Sequence, residues 1–199
     1  PNPAQWKDNL DHRLPTLSRK ARIKNHPSLS HNLIADFIEQ LRGQDGIAAK
    51  ALEVLILCAA RSNEVVGMRW SELDEDLKQW DIPPERMKAK KPHTIPLPAR
   101  VTPILKTLRQ EREHLEERKQ SEFVFCNPNG KPLSNAAMSA LLERMNATRS
   151  NAGLEPWKDR DGRHITIHGM RATFKTWGGE VSSFPRELIE HSLAHSLPD

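Results

Sequence analysis

ALEVLILCAARSNEVVGMRW, residues 51–70, sets the reading of the whole chain. Its first half is apolar on most sides, and a helix that is hydrophobic all round is buried. The apolar run is too short for a bilayer span, which needs about 20 such residues. It ends abruptly on Arg61, and RSNEVVGMRW reads as a short helix after a break. A cation at the end of a buried helix is favoured by the helix dipole. Glu64, three residues on, can pair with that cation and hold the turn. The pattern predicts a mainly helical domain built on one buried helix, with charge concentrated at its end.

Working upstream, SLSHNLIADFIEQLRG (residues 28–43) has apolar positions at Leu33, Ile34, Phe37, Ile38 and Leu41 and a glycine stop, the periodicity of a helix. Residues 1–25 are basic, proline-containing and without clear period, and read as a linker or the end of an interdomain segment. Downstream, KQWDIPP and HTIPLP are short proline-bounded strands around a basic loop, a β-hairpin arm. ARVTPILKTLRQEREHLEERK (residues 99–119) reads as a long amphipathic helix. EFVFCNPNG reads as a strand and turn that could add a third strand to the sheet. LSNAAMSALLERMNAT is a helix with a serine N-cap. HITIHGMRATFKTWGGE (residues 164–180) starts extended, turns helical near His168 and stops at Gly178-Gly179, and FPRELIEHSLAH is a final helix with proline in its first turn. The class is mainly α with a small antiparallel β-hairpin or three-stranded sheet.

The 199 residues suffice for one large domain with a sizeable core, so neither disulfides nor metals are needed for stability. Two distant cysteines, with no CxxC, point to a reducing cytoplasm, and Cys58 reads as a buried thiol. No signal peptide is visible and no membrane association is expected. The net charge of +4 is a weak pointer to nucleic acid. Its placement says more, because basic clusters fall in loops near the unusual histidine and arginine segment.

His168 and Arg171 stand at i, i+3 on one helical face, and His195 closes the chain one turn after His191. Two arginines, histidines and a loop lysine suit chemistry at a phosphodiester. Guanidinium forks match the non-bridging oxygens, a lysine can protonate a leaving alkoxide, and a histidine can move the nucleophile's proton. Such a site needs no metal, since the arginines do the charge neutralisation, and no cofactor is expected. The pairs His164/His168 and His191/His195 have the i, i+4 spacing of zinc ligands, but neither belongs to an HExxH motif, and the metal reading is the weaker one.

CAARSNEVVGMRWSELD, IPPERMKAKKPHTIPLP, IHGMRATFKTW and LIEHSLAHS, in this order, resemble the catalytic domain of tyrosine recombinases, in particular integrases of phages and genomic islands, over residues 26–199. The run R-x-x-E-x-x-G-x-R-W is its most specific element. The resemblance implies the tyrosine-recombinase catalytic fold. It also implies site-specific recombination or integration of DNA by strand cleavage and rejoining through a 3′-phosphotyrosyl intermediate. In it Arg61, His168, Arg171 and His195 match catalytic positions and Glu64 the structural partner of Arg61. Lys88 matches the general acid, Lys90 and Lys91 lying in the same loop. Arg69, Lys90, Lys91, Lys131, Arg163 and Lys175 are expected to meet the DNA backbone, while His164 and His191 match no catalytic position. The implied partners are double-stranded attachment sites, a homotetrameric synapse on DNA and accessory directionality or bending factors. The implied location is the bacterial cytoplasm, at the nucleoid. Relatives carry the nucleophilic tyrosine shortly after the position of His195, and this sequence contains no tyrosine. The expectation is a catalytic domain truncated before its nucleophile and inactive alone. The alternative is a non-catalytic DNA-binding protein that keeps the recombinase fold.

Overall fold

The computed structural model describes residues 26–116 and 120–195. The expected linker, residues 1–25, lies outside them.

After a single 3-10 turn, helix α1 (Ile34–Arg42) buries Phe37 and Leu41, one turn apart. Helix α2 (Ile47–Leu57) buries Ala49, Ala51, Leu52, Val54 and Leu55, as its unbroken apolar run requires. Its one buried charge, Glu53, is matched by Arg42 at 2.7 Å and Arg100 at 3.1 Å, because a buried carboxylate persists only when paired. Helix α3 (Ser62–Val66) follows directly.

Strand β1 (Gln79–Ile82) pairs antiparallel with β2 (His93–Pro96), Trp80 opposite Ile95. Trp80, Ile82, His93 and Ile95 point inward in strict alternation, the period of a half-buried strand. Among the described residues the sheet has these two strands. The segment expected as a third strand makes only an isolated bridge, Phe123 to Arg69. The chain beyond Arg69 turns at once into a 3-10 turn, Trp70–Glu72, so no extended edge is there to continue a ladder.

Helix α4 (Val101–Glu113) buries Val101, Ile104, Leu105 and Leu108. It ends earlier than the pattern to residue 119 predicts. Leu115 is half exposed, and the charged run around it has no apolar face to bury. Helix α5 (Asn135–Asn151) buries Met138, Leu141, Leu142 and Met145 at helical spacing. Ser134 occupies the N-cap with extended backbone but makes no capping side-chain bond. Helix α6 (Gly169–Glu180) runs through Gly178 and Gly179 instead of stopping there, and α7 (Arg186–Ser192) starts after Pro185. The reason is tertiary: a Cβ on Gly178 would lie 2.7 Å from Cδ1 of Ile189. The glycine lets α7 pack onto α6, so it marks a close approach and not a helix end. Helix α2 lies at the centre, packed on α1, α3, α4, α5 and α6.

Two ties fix the ends of the site. Trp157 is held by Gln40 Oε1 on its Nε1 (2.7 Å) and Asn146 Oδ1 on its backbone N–H (2.8 Å), joining α1 to α5. Residues 27–29 lie across the start of α6: the Pro27 carbonyl accepts from Thr166 N–H at 3.1 Å and the Leu29 carbonyl from Thr173 Oγ1 at 2.7 Å. A Cβ on Gly169 would sit 1.9 Å from the Pro27 carbonyl oxygen, so only glycine allows this crossing.

Candidate active site

Helix α2 ends because Ala59 adopts a left-handed conformation (φ 48°). Arg61 then opens α3 with extended backbone. Glu64, buried, binds it twice: Oε2 accepts the Arg61 backbone N–H at 2.7 Å and Oε1 accepts Nη1–H at 2.8 Å. This local loop closes one turn of helix and fixes the guanidinium, whose Nη2 reaches the carbonyls of Leu193 and Ala194, each at 3.4 Å.

Arg171, in the first turn of α6, is buried. Its Nη2 donates to the Leu193 carbonyl at 2.6 Å and its Nη1 to the Ala59 carbonyl. Both acceptors lie beside backbone in the left-handed region, at Ala59 itself and at Ala194 (φ 46°). That conformation costs a non-glycine residue about 1–2 kcal/mol, and the charged hydrogen bonds offset it. Burial, and then the neighbouring Arg61 charge, draw the Arg171 guanidinium down to about 10, so it stays a cation at neutral pH.

His168 is the N-cap of α6, exposed, with its ring 4.4 Å from that of His26. Partial desolvation, and then the charges of His26 and the arginines, hold it below its usual value of 6.5. The imidazole is therefore neutral at pH 7 and free to accept a proton. His195 places Nδ1 2.6 Å from Oε2 of Glu190, whose Oε1 lies 2.6 Å from Nζ of Lys175. His168, Arg171, Lys175 and His195 line one cleft of about 890 Å³, whose wall also includes Arg160 and Arg163.

The fold thus brings four of the sequence-predicted residues together: Arg61, His168, Arg171 and His195, with Glu64 beneath. Lys88 stands apart. It is exposed in the turn that follows the 3-10 turn Pro84–Arg86, and its ammonium has no partner among the described residues. Lys90 and Lys91 are exposed beside it, and Lys131 is exposed in the Asn127–Lys131 turn. Three of the expected DNA contacts are already ion-paired: Arg69 with Glu122, Arg163 with Asp159 at 2.7 Å, and Lys175 with Glu190. His164 is exposed, and His191 lies with its ring 5.8 Å from that of His93.

Sequence reasoning passed over three contributors. Glu190 is buried beside the core residue Ile189. His93 is buried among Glu64, His191, Arg61 and Arg171. Arg86 binds buried Glu72 and donates to the Glu64 carbonyl at 2.5 Å, locking the hairpin arm to α3. A Cβ on Gly67 would come within 2.8 Å of Arg86 Nη2. The glycine of R-x-x-E-x-x-G is therefore the passage through which Arg86 reaches α3.

A profile described as the phage integrase family matches residues 28–197. The chain is 29% identical over 181 residues to the prophage integrase IntA of Escherichia coli K12, covering 88% of this chain and 38% of that protein. It is 28% identical over 179 residues to the integrase of Shigella phage Sf6, covering 88% of this chain and 41% of that protein. The chain thus spans well under half the length of these relatives. Among solved structures, XerH site-specific recombinase in a post-cleavage complex with a palindromic difH substrate aligns with a TM-score of 0.61 at 20% identity, covering 88% of this chain and 48% of that one. The Tn1549 transposon integrase with transposon right end DNA aligns at 0.66 and 15%, covering 96% and 63%. The fold is that of these recombinases, and with nearly the whole described region matched by the family profile, the chain belongs to the phage integrase family.

Proposed function

We propose that this chain is the strand-cleaving and rejoining domain of a site-specific DNA recombinase. The observation that carries the reading is the convergence of Arg61 and Arg171 on one carbonyl, Leu193 O, beside a cleft lined by His168 and His195. Two fixed guanidinium groups at one point suit an anion whose charge grows in a pentacoordinate transition state. Preorganised donors of this kind supply the largest share of many rate enhancements. The start of α6 adds a favourable helix dipole on the same side.

In this reading a tyrosine hydroxyl attacks the scissile phosphorus. Its oxygen forms the new P–O bond, its proton passes to neutral His168, and the bond to the 5′-oxygen breaks. Arg61 and Arg171 neutralise the non-bridging oxygens, His195 donates a hydrogen bond to one of them, and Lys88 protonates the departing 5′-oxygen. The 3′-phosphotyrosyl link conserves the bond energy, and a partner strand's 5′-hydroxyl reverses the step. The sequence has no tyrosine, so the nucleophile comes from chain outside these 199 residues, and these residues alone are inactive.

The finer parts of the reading rest on family likeness. The substrate is a double-stranded attachment site and the working assembly a homotetramer, with accessory bending or directionality factors. Lys88, Lys90 and Lys91 reach DNA from the arm, Lys131 makes a backbone contact, and Arg69, Arg163 and Lys175 do so once their present partners yield. The place of action is the bacterial nucleoid.

The test uses the parent protein with its downstream segment and a nicked duplex carrying the element's attachment site. A covalent protein–DNA adduct on a denaturing gel, lost in Arg171→Ala, is the expected result. Salt-sensitive binding without any adduct would favour a DNA-binding protein that keeps the fold without the chemistry.

A further inference from the structure

Glu190 is a buried carboxylate on a short helix that buries only it and Ile189, and each of its oxygens faces a cation or a ring N–H. Oε1 meets Lys175 Nζ at 2.6 Å, with Arg186 Nε at 4.0 Å. Oε2 meets His195 Nδ1 at 2.6 Å. Lys175 comes from α6 and His195 follows α7, so the carboxylate joins the two elements at the cleft wall. Its neighbour Ile189 packs over Gly178 of α6, which keeps the helix, and with it the carboxylate, at a fixed depth. Ala194, in the left-handed region, turns the chain so that the His195 ring folds back onto Glu190.

A carboxylate only accepts hydrogen bonds, so the shared proton sits on Nδ1 of the ring. Nε2 is then the ring nitrogen left for the cleft that His195 lines. Pinning one ring nitrogen by a carboxylate is a general way to set both the rotamer and the tautomer of a working histidine. We infer that Glu190 is the positioning residue of His195: it accepts Nδ1–H, so that Nε2, which donates to the scissile phosphate when the ring carries a second proton, faces the cleft, and it ties Lys175 into the same wall. The inference rests on the recombinase reading for what Nε2 meets, but the Glu190–His195 link itself does not.

The experiment has two arms. Ring-nitrogen NMR on the 199-residue chain, with the His195 signal assigned by its loss in His195→Asn, reads which nitrogen carries the proton. A protonated Nδ1 in the wild type, giving way to a mixture of tautomers in Glu190→Gln, is expected. A wild-type ring protonated only on Nε2 overturns the inference, and this readout needs no variant of Glu190 to fold. The second arm measures adduct formation in the parent protein. Glu190→Gln should slow it by about 10- to 100-fold, the range seen when the outer partner of a functional histidine is removed. In a His195→Asn background the same change should add almost nothing, because the two side chains act as one unit. Equal losses in both backgrounds overturn the inference. Absence of adduct even in the wild type would count against the recombinase reading, while the NMR arm would still decide the link.

Discussion

Arg61 and Arg171 donate to the same acceptor, the Leu193 carbonyl, from 3.4 Å and 2.6 Å. Two like charges meet at one point because Glu64 lies beneath them and because the chain between α7 and His195 turns its carbonyls inward. The Arg171 contact is short and buried. The Arg61 contacts are long, and an incoming phosphate oxygen can displace them.

Arg171→Ala should therefore do two things at once. Adduct formation should fall by about 10²–10³ or more, as for loss of one preorganised donor. Stability should fall by about 2–3 kcal/mol, since the buried Ala59 and Leu193 carbonyls lose a charged partner. Urea melts separate the two effects. Arg171→Lys keeps the charge but not the fork, so DNA affinity should survive better than cleavage.

Glu64→Ala should loosen Arg61 without touching DNA directly. Both carboxylate oxygens bind Arg61, one of them at its backbone. The expected cost is about 1.5–3 kcal/mol, that of a hydrogen bond to a charged group. Adduct yield should drop more than DNA affinity, measured by gel shift and denaturing gel on the same samples.

Gly169→Ala should act on the fold. The added Cβ collides with the Pro27 carbonyl, which is backbone and cannot rotate away. Displacing residues 27–29 also removes their bonds to Thr166 and Thr173. A loss of about 3 kcal/mol, the upper part of the overpacking range, is expected in chemical denaturation. Faster proteolytic cutting near residues 26–30 should accompany it.

Stability should weaken on mild acidification. His93 is held below its usual 6.5, first by burial, with His191, Arg61 and Arg171 adding to the effect and Glu64 opposing it. Its folded value is below its unfolded one. The stabilisation is therefore complete above pH 6.5 and is lost as pH falls from there through the folded value. His93→Gln should flatten the stability–pH slope just below 6.5, read from urea midpoints at several pH values.

The two thiols should differ sharply. Burial raises the Cys58 thiol to about 12, whereas Cys126 is only partly buried. An aromatic disulfide reagent at pH 8 should label Cys126 in the native protein and Cys58 only after denaturation.

The sequence by itself determined what is local. The uninterrupted apolar face of α2, the four-residue link from Arg61 to Glu64 and the alternation in β1 and β2 each depend on neighbours within a few positions, and each is legible as spacing. The motif resemblance, too, placed Arg61, His168, Arg171 and His195 in one family pattern before any geometry was known. Only the tertiary structure decided what lies across the chain. Arg171 meets a carbonyl 112 residues away, and Thr173 one 144 residues away. Gly178-Gly179 reads as a helix stop in sequence, yet α6 continues through it because Ile189 needs the space. Phe123 reads as part of a strand, yet its neighbour is a 3-10 turn that offers no edge. Glu190 carries no signal in the sequence, and only the packing of α7 on α6 buries it between Lys175 and His195. Local periodicity reports which face of an element is apolar. It carries no information about which distant backbone will approach that face, and the pairings at the cleft arise from those approaches.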